Sequence, residues 1–204
     1  MMSVHTSRTA EPLPEGGRGH AVGTWGLWWG LLTLALFVAG FAAAALYLHT
    51  GHEAWPPEGI EAPGMGYAAG SVALTVAAAA LLTFARRQMR AGARRPAAVL
   101  MAASSVLLTA SVVVLIADLQ RAGFRWDTHA YGSIYWTLTA AAALFVAVGV
   151  LMTAAVLVQT LVGLVDEYRH LELTNTLFTV WFAVLTAVVL LALVHLLPST
   201  TGGG

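Results

Sequence analysis

The chain has 204 residues, 58% of them strongly apolar before its 20 glycines are counted, and only 10% are charged. Soluble domains carry about 45–50% apolar residues with glycine included and about 25% charged ones, so a mean hydropathy of +0.76 leaves too little polar side chain to cover a water-facing globule. That shortage excludes an ordinary soluble enzyme, while the balance of ten arginines with ten acids and the lack of cysteine exclude a nucleic-acid partner drawn by net charge, disulfides, and thiolate or iron–sulfur metal sites.

Residues 1–23 contain Pro12, Pro14, Gly16, Gly17 and Gly19 without apolar periodicity and read as a flexible N-terminal tail. Crossing a hydrocarbon core about 30 Å thick takes roughly 20 apolar residues in a helix. Five stretches meet that length: Trp25 to Leu48, Tyr67 to Ala85, Ala97 to Ala117, about Ile134 to Val165, and Thr174 to Leu197. The first exceeds the 7–15 residues of a signal-peptide core and follows a long polar leader, so it reads as a mature helix. The fourth is too long for one perpendicular crossing and too short for two. It reads as one tilted helix, with a short re-entrant start near Tyr131 as the alternative. The expected architecture is all-α: a five-helix transmembrane bundle over 24–198, with flexible tails at 1–23 and 199–204.

Orientation follows the arginines, because short cytoplasmic loops hold the positive excess. Arg86, Arg87, Arg90, Arg94 and Arg95 share one loop without an acid, whereas the preceding loop has Glu53, Glu58 and Glu61 without a lysine or arginine. The arginine loop and N-terminus are expected inside and the C-terminus outside. The same five arginines are candidate contacts for anionic lipid or an acidic partner surface. Trp25, Trp28, Trp29, Tyr47, Tyr67, Trp126, Tyr131, Tyr135, Trp136 and Tyr168 fall near span ends, where amphipathic rings are expected at headgroup level.

Little in the chain points to chemistry of its own. Asp118 and His195 lie at span ends and are expected within reach of water or headgroups. His49, His52, Glu53 and His129 form the one cluster that resembles a metal site, but without a rigid frame they read as surface residues. There is no GxGxxG, P-loop, GxSxG or HExxH pattern. Ser104, Ser105, Thr109 and Ser111, together with Thr137, Thr139, Thr153, Gln159 and Thr160, suit hydrogen bonding between helices. The pairs Gly26/Gly30 and Gly66/Gly70 suit close backbone approach. No catalytic, cofactor-binding or metal-ligating residue is expected.

Two segments carry a family resemblance. His52-Glu-Ala-Trp-Pro-Pro-Glu-Gly-Ile60 follows a span ending Ala-Leu-Tyr-Leu-His, and Phe124-Arg-Trp-Asp-Thr-His-Ala-Tyr-Gly-Ser133 leads into the fourth span. Together they resemble subunit III of the haem–copper oxidases, in its five-helix form, through Trp55, Pro56, Pro57 and Gly59 and through Tyr131, Gly132 and Ser133. Ala35-Leu-Phe-Val-Ala-Gly-Phe41, Arg90-Ala-Gly92 and Leu119-Gln120 match in the same order, over about residues 24 to 198. The resemblance implies an accessory subunit in the bacterial cytoplasmic membrane beside catalytic subunit I and subunit II. Those partners would carry haem and copper, and this chain would hold phospholipids and stabilise the side where protons enter. Leu34 stands where such proteins usually hold a buried glutamate. Ala140 to Val148 lacks their histidines, and Phe178-Thr-Val-Trp-Phe-Ala183 replaces a polar pattern, so roles of those polar groups do not carry over. The rival readings are an accessory subunit of a nitric oxide reductase or other respiratory assembly, and a small transporter.

Overall fold

The computed structural model describes residues 16–51, 55–61, 63–164 and 171–201. They form five helices, α1 (Gly16–Thr50), α2 (Gly66–Arg90), α3 (Arg94–Arg121), α4 (Ala130–Val162) and α5 (Leu171–Thr201), with no strand among the described residues. All five are long and apolar enough to cross a membrane. The protein is thus an all-α bundle of multi-pass membrane character.

α4 is one continuous helix of 33 residues, so the long fourth run is a single crossing without a re-entrant start. Each helix overruns its apolar stretch at one end or both, and α1 already begins at Gly16, inside the stretch expected to be a flexible tail. Once a helix is nucleated, each added residue gains a backbone hydrogen bond at little cost, so a polar flank does not stop it. Glycine does. After α2, Gly92 takes a left-handed φ of 74°, its N–H donates to Met89 O, and the Ala93 N–H donates to Gln88 O at 2.9 Å. α4 ends the same way on Gly163 at φ 87°, with the Leu164 N–H donating to Gln159 O. Both closures satisfy carbonyls that the helix end leaves open. Residues 1–15 and 202–204, and with them most of the expected N-terminal tail and half of the C-terminal one, lie outside the described residues.

α2, α3, α4 and α5 close into a four-helix ring, each packed on the next and α5 back on α2, while α1 lies outside against α5 and touches α4 only slightly. Trp28 of α1 meets Phe178 of α5 with ring centroids 5.4 Å apart. Lipid tails are as apolar as leucine, so such a ring is held by close packing and polar bonds between helices. The face of α2 turned inward is accordingly small: Ala68, Ser71, Thr75, Ala78, Leu82 and Ala85 are buried. Ser111 Oγ of α3 donates to Ser71 O at 3.0 Å and lies 2.9 Å from Thr75 Oγ1, and Ser104 Oγ donates to Ala78 O. Ser104 and Ser111 thus join helices as expected. Ser105 and Thr109 do not: Thr109 bonds back to Ser105 O on an exposed face.

The glycine pairs behave differently from expectation. A Cβ on Gly26, Gly30, Gly66 or Gly70 would meet nothing within 4 Å, so these positions bring no backbones together within the chain. The close approach falls at Gly149, where a Cβ would lie 3.3 Å from Val180 Cγ2 of α5.

Candidate functional site

The two segments that carry the family resemblance meet at one end of the ring, where α2 and α4 begin and α1, α3 and α5 finish. In the α1–α2 loop the Ile60 N–H donates to Pro57 O at 3.1 Å, and Gly59 supplies the positive φ of 84° that this turn requires. The Trp55–Pro56 peptide is cis. Trp55 is buried at 4% exposure and sets its ring edge-on to Tyr131, centroids 5.3 Å apart at 85°.

The Tyr-Gly-Ser triplet has a distinct task at each position. Tyr131 receives Trp55. Gly132 sits under the preceding loop, where a Cβ would lie 2.6 Å from Arg125 O. Ser133 Oγ donates to Trp126 O at 2.6 Å, closing the same loop from beneath. His129 caps α4, its Nδ1 accepting from the Gly132 N–H at 2.8 Å, and Trp136 Nε1 donates to Phe124 O. These bonds satisfy donors and acceptors that a helix start and a tight loop would otherwise leave open.

Beneath this lid lies a second layer of polar groups that the sequence did not place inside. Asp118 on α3 is 3% exposed and His195 on α5 is 7% exposed, so both are buried, contrary to the expectation that water or headgroups reach them. Tyr131 and Tyr135, expected at headgroup level, are also buried. The reason is shared: α3 and α5 run on past their apolar stretches, and the loops before α2 and α4 fold over them. Asp118 lies within electrostatic reach of Tyr135 and His195, and Tyr135 meets His195 edge-on at 6.1 Å. His195 Nδ1 lies 3.1 Å from Pro63 O. Trp25, Trp29, Tyr47 and Trp126 are exposed and fit the expected aromatic belt; Tyr168 lies outside the described residues.

Of the four residues that resemble a metal site, His49 and His129 are described. His129 points its Nδ1 lone pair at a backbone N–H, which puts the proton on Nε2 in the neutral ring and removes it as a ligand. His49 packs against Trp55 at 5.9 Å rather than standing at the surface. His52 and Glu53 lie outside the described residues.

At the opposite end the five arginines have separate surroundings. Arg94 reaches across to the last turn of α4, its guanidinium donating to Thr160 O and Leu161 O, a C-terminal cap that the sequence did not reveal. Arg87 lies 5.6 Å from the Phe84 ring, and Arg86 Nε is buried without a hydrogen-bond partner among the described residues. Arg87, Arg90 and Arg95 are exposed and remain free to meet headgroups or a partner.

No protein-family model matches the chain, and no curated protein matches it either.

Proposed function

We propose that this chain is an accessory, non-catalytic integral membrane subunit of a respiratory haem–copper terminal oxidase, similar to subunit III. In this reading haem and copper belong to partner subunits I and II. The chain sits in the bacterial cytoplasmic membrane, arginine loop inside and Trp55 loop outside, as the charge asymmetry of those loops favours. Its task is to stabilise the catalytic subunit and hold phospholipids during aerobic electron transfer.

The observation that carries the reading is the contact of Trp55 with Tyr131. Composition alone would leave the Trp-Pro-Pro loop and the Tyr-Gly-Ser helix start as unrelated short matches. Their packing as one unit, with Gly132 and Ser133 each required by the geometry, gives the matched residues a common structural purpose. Lipid holding draws support from α1, where Thr33, Leu36, Phe37, Gly40 and Phe41 form one open apolar face.

The test is to isolate the tagged chain from native membranes in mild detergent and record absorbance and metal content. Co-isolation with a larger haem- and copper-bearing chain that reduces oxygen is expected. Recovery of the chain without any haem protein, from membranes that respire, overturns the proposal.

A further inference from the structure

His129 holds the start of α4 through one ring nitrogen. Its Nδ1 accepts from the Gly132 N–H at 2.8 Å, so the neutral ring carries its proton on Nε2. That Nε2 is buried without a hydrogen-bond partner among the described residues. The ring stacks on Tyr131, centroids 6.1 Å apart at 23°, and lies against Phe124 at 5.3 Å.

A second proton does not fit this arrangement. Both nitrogens of an imidazolium are donors. Nδ1–H would point at the Gly132 N–H, donor against donor, while Nε2–H would still lack an acceptor. An asparagine or serine cap accepts whatever the pH, whereas histidine is the side chain whose ordinary charge change falls between about pH 5 and 8. The cap and a proton on Nδ1 therefore exclude each other. The closed form binds one proton fewer than the open one, so acid favours opening.

The groups around the ring do not rescue the imidazolium. From α4, Tyr131 presents its ring, and its hydroxyl is buried without a partner among the described residues. In the α3–α4 loop, Asp127 pairs with Arg125 at 3.3 Å. Asp118 of α3 lies within electrostatic reach of Tyr131, His49 of α1 is one ring further out on Trp55, and Glu58 and Glu61 of the α1–α2 loop are exposed. The other bonds of the α3–α4 loop do not titrate in this range: Ser133 Oγ donates to Trp126 O, Trp136 Nε1 to Phe124 O and Thr128 Oγ1 to Arg125 O. They keep the loop attached while the ring moves.

We propose that His129 is a proton-operated latch between the α3–α4 loop and α4. Neutral, it closes the loop onto the helix start. A proton taken from water at the Trp55 end forms an N–H bond at Nδ1 and breaks the hydrogen bond from Gly132. The charged ring then turns out to water and leaves Tyr131, the ring on which Trp55 rests. The latch does not depend on reading the chain as an oxidase subunit.

The full chain in lipid nanodiscs, labelled in the histidine nitrogens, the tyrosine carbonyl carbon and the glycine nitrogen, reports both ends of the bond by NMR. Tyr131-Gly132 is the only Tyr-Gly pair in the sequence, and the His129 signal is the one lost in His129→Asn. At about pH 8 the ring should be neutral with its proton on Nε2, and toward about pH 5 it should become an imidazolium. In the same titration the Gly132 N–H should lose about fivefold in protection against exchange with water, corrected for the intrinsic effect of pH. His129→Asn, whose carboxamide caps at either pH, should hold that protection constant. A neutral ring with its proton on Nδ1 overturns the proposal, as does a ring that stays neutral over the whole range. An imidazolium formed while the Gly132 protection is unchanged does the same, and so does a folded His129→Asn that loses protection like the parent. The unmodified chain decides the question even where the variant fails to fold.

Discussion

Replacing Gly132 with alanine places one methyl group where the described chain leaves no room for it. Its Cβ would lie 2.6 Å from Arg125 O and 3.1 Å from His129 Cε1, whereas real Cβ contacts essentially never fall under 3.0 Å. The carbonyl cannot swing aside freely, because it accepts from Thr128 Oγ1 at 2.8 Å and from the Thr128 N–H at 3.4 Å. Moving the helix start instead breaks the 2.8 Å cap from Gly132 N to His129. Overpacking typically costs about 1–3 kcal/mol and a lost N-cap about 1 kcal/mol, so Gly132→Ala should destabilise the fold by about 2–4 kcal/mol. Gly70→Ala is the control. A Cβ there meets nothing within 4 Å, and alanine in a helix is favoured over glycine by up to about 1 kcal/mol. Equilibrium unfolding of both variants in mixed micelles gives the difference. A Gly132→Ala variant within about 0.5 kcal/mol of the parent, the range of ordinary surface changes, would refute the account of why glycine stands there.

Ser111→Ala removes the bonds to Ser71 O and Thr75 and should cost about 0.6–2 kcal/mol in the same unfolding assay. Arg94→Gln should lower stability by about 1 kcal/mol through loss of the α4 cap, whereas Arg95→Gln, on an exposed side chain, should leave it unchanged; equal effects would contradict the assigned roles. A cysteine at Ala91, which is exposed in the arginine loop, should resist impermeant thiol reagents in intact cells and react in inverted vesicles, and the reverse pattern would invert the proposed topology. The purified, folded chain should show no Soret band, since haem is assigned to a partner.

Helix number was legible because hydropathy over 20 residues is dictated by bilayer thickness. The stop after α2 had a signal in Gly92 that the span reading, which ended at Ala85, did not use: few residues besides glycine accept the left-handed turn found there. Which side of each helix faces inward was not legible. In a soluble bundle the polar face points out and the period betrays it, but a helix in lipid is apolar on both sides, and that signal fades. Thus Ser105 and Thr109 were grouped with Ser104 and Ser111, and only the packing separates them. The burial of Asp118 and His195 escaped for a related reason. Each sits near the end of an apolar run, and the loops that cover them come from other parts of the chain. Tyr131 and Tyr135, four residues apart and so on one face of α4, were the available hint that this helix start turns polar tips inward. Arg94 was read with its neighbours because five arginines in one loop look alike until one of them reaches Thr160 O.

The central claim is that this bundle works as one subunit beside a larger catalytic one. Its most direct test is photo-cross-linking in native membranes from a photoreactive residue placed at Ala91, in a loop without lysine, cysteine or acid, followed by quantitative mass spectrometry of the complex that contains this chain. The account predicts a fixed ratio of one copy to one haem-bearing catalytic chain, with cross-links to it from the exposed arginine loop. A population made only of this chain, alone or with copies of itself, would contradict it.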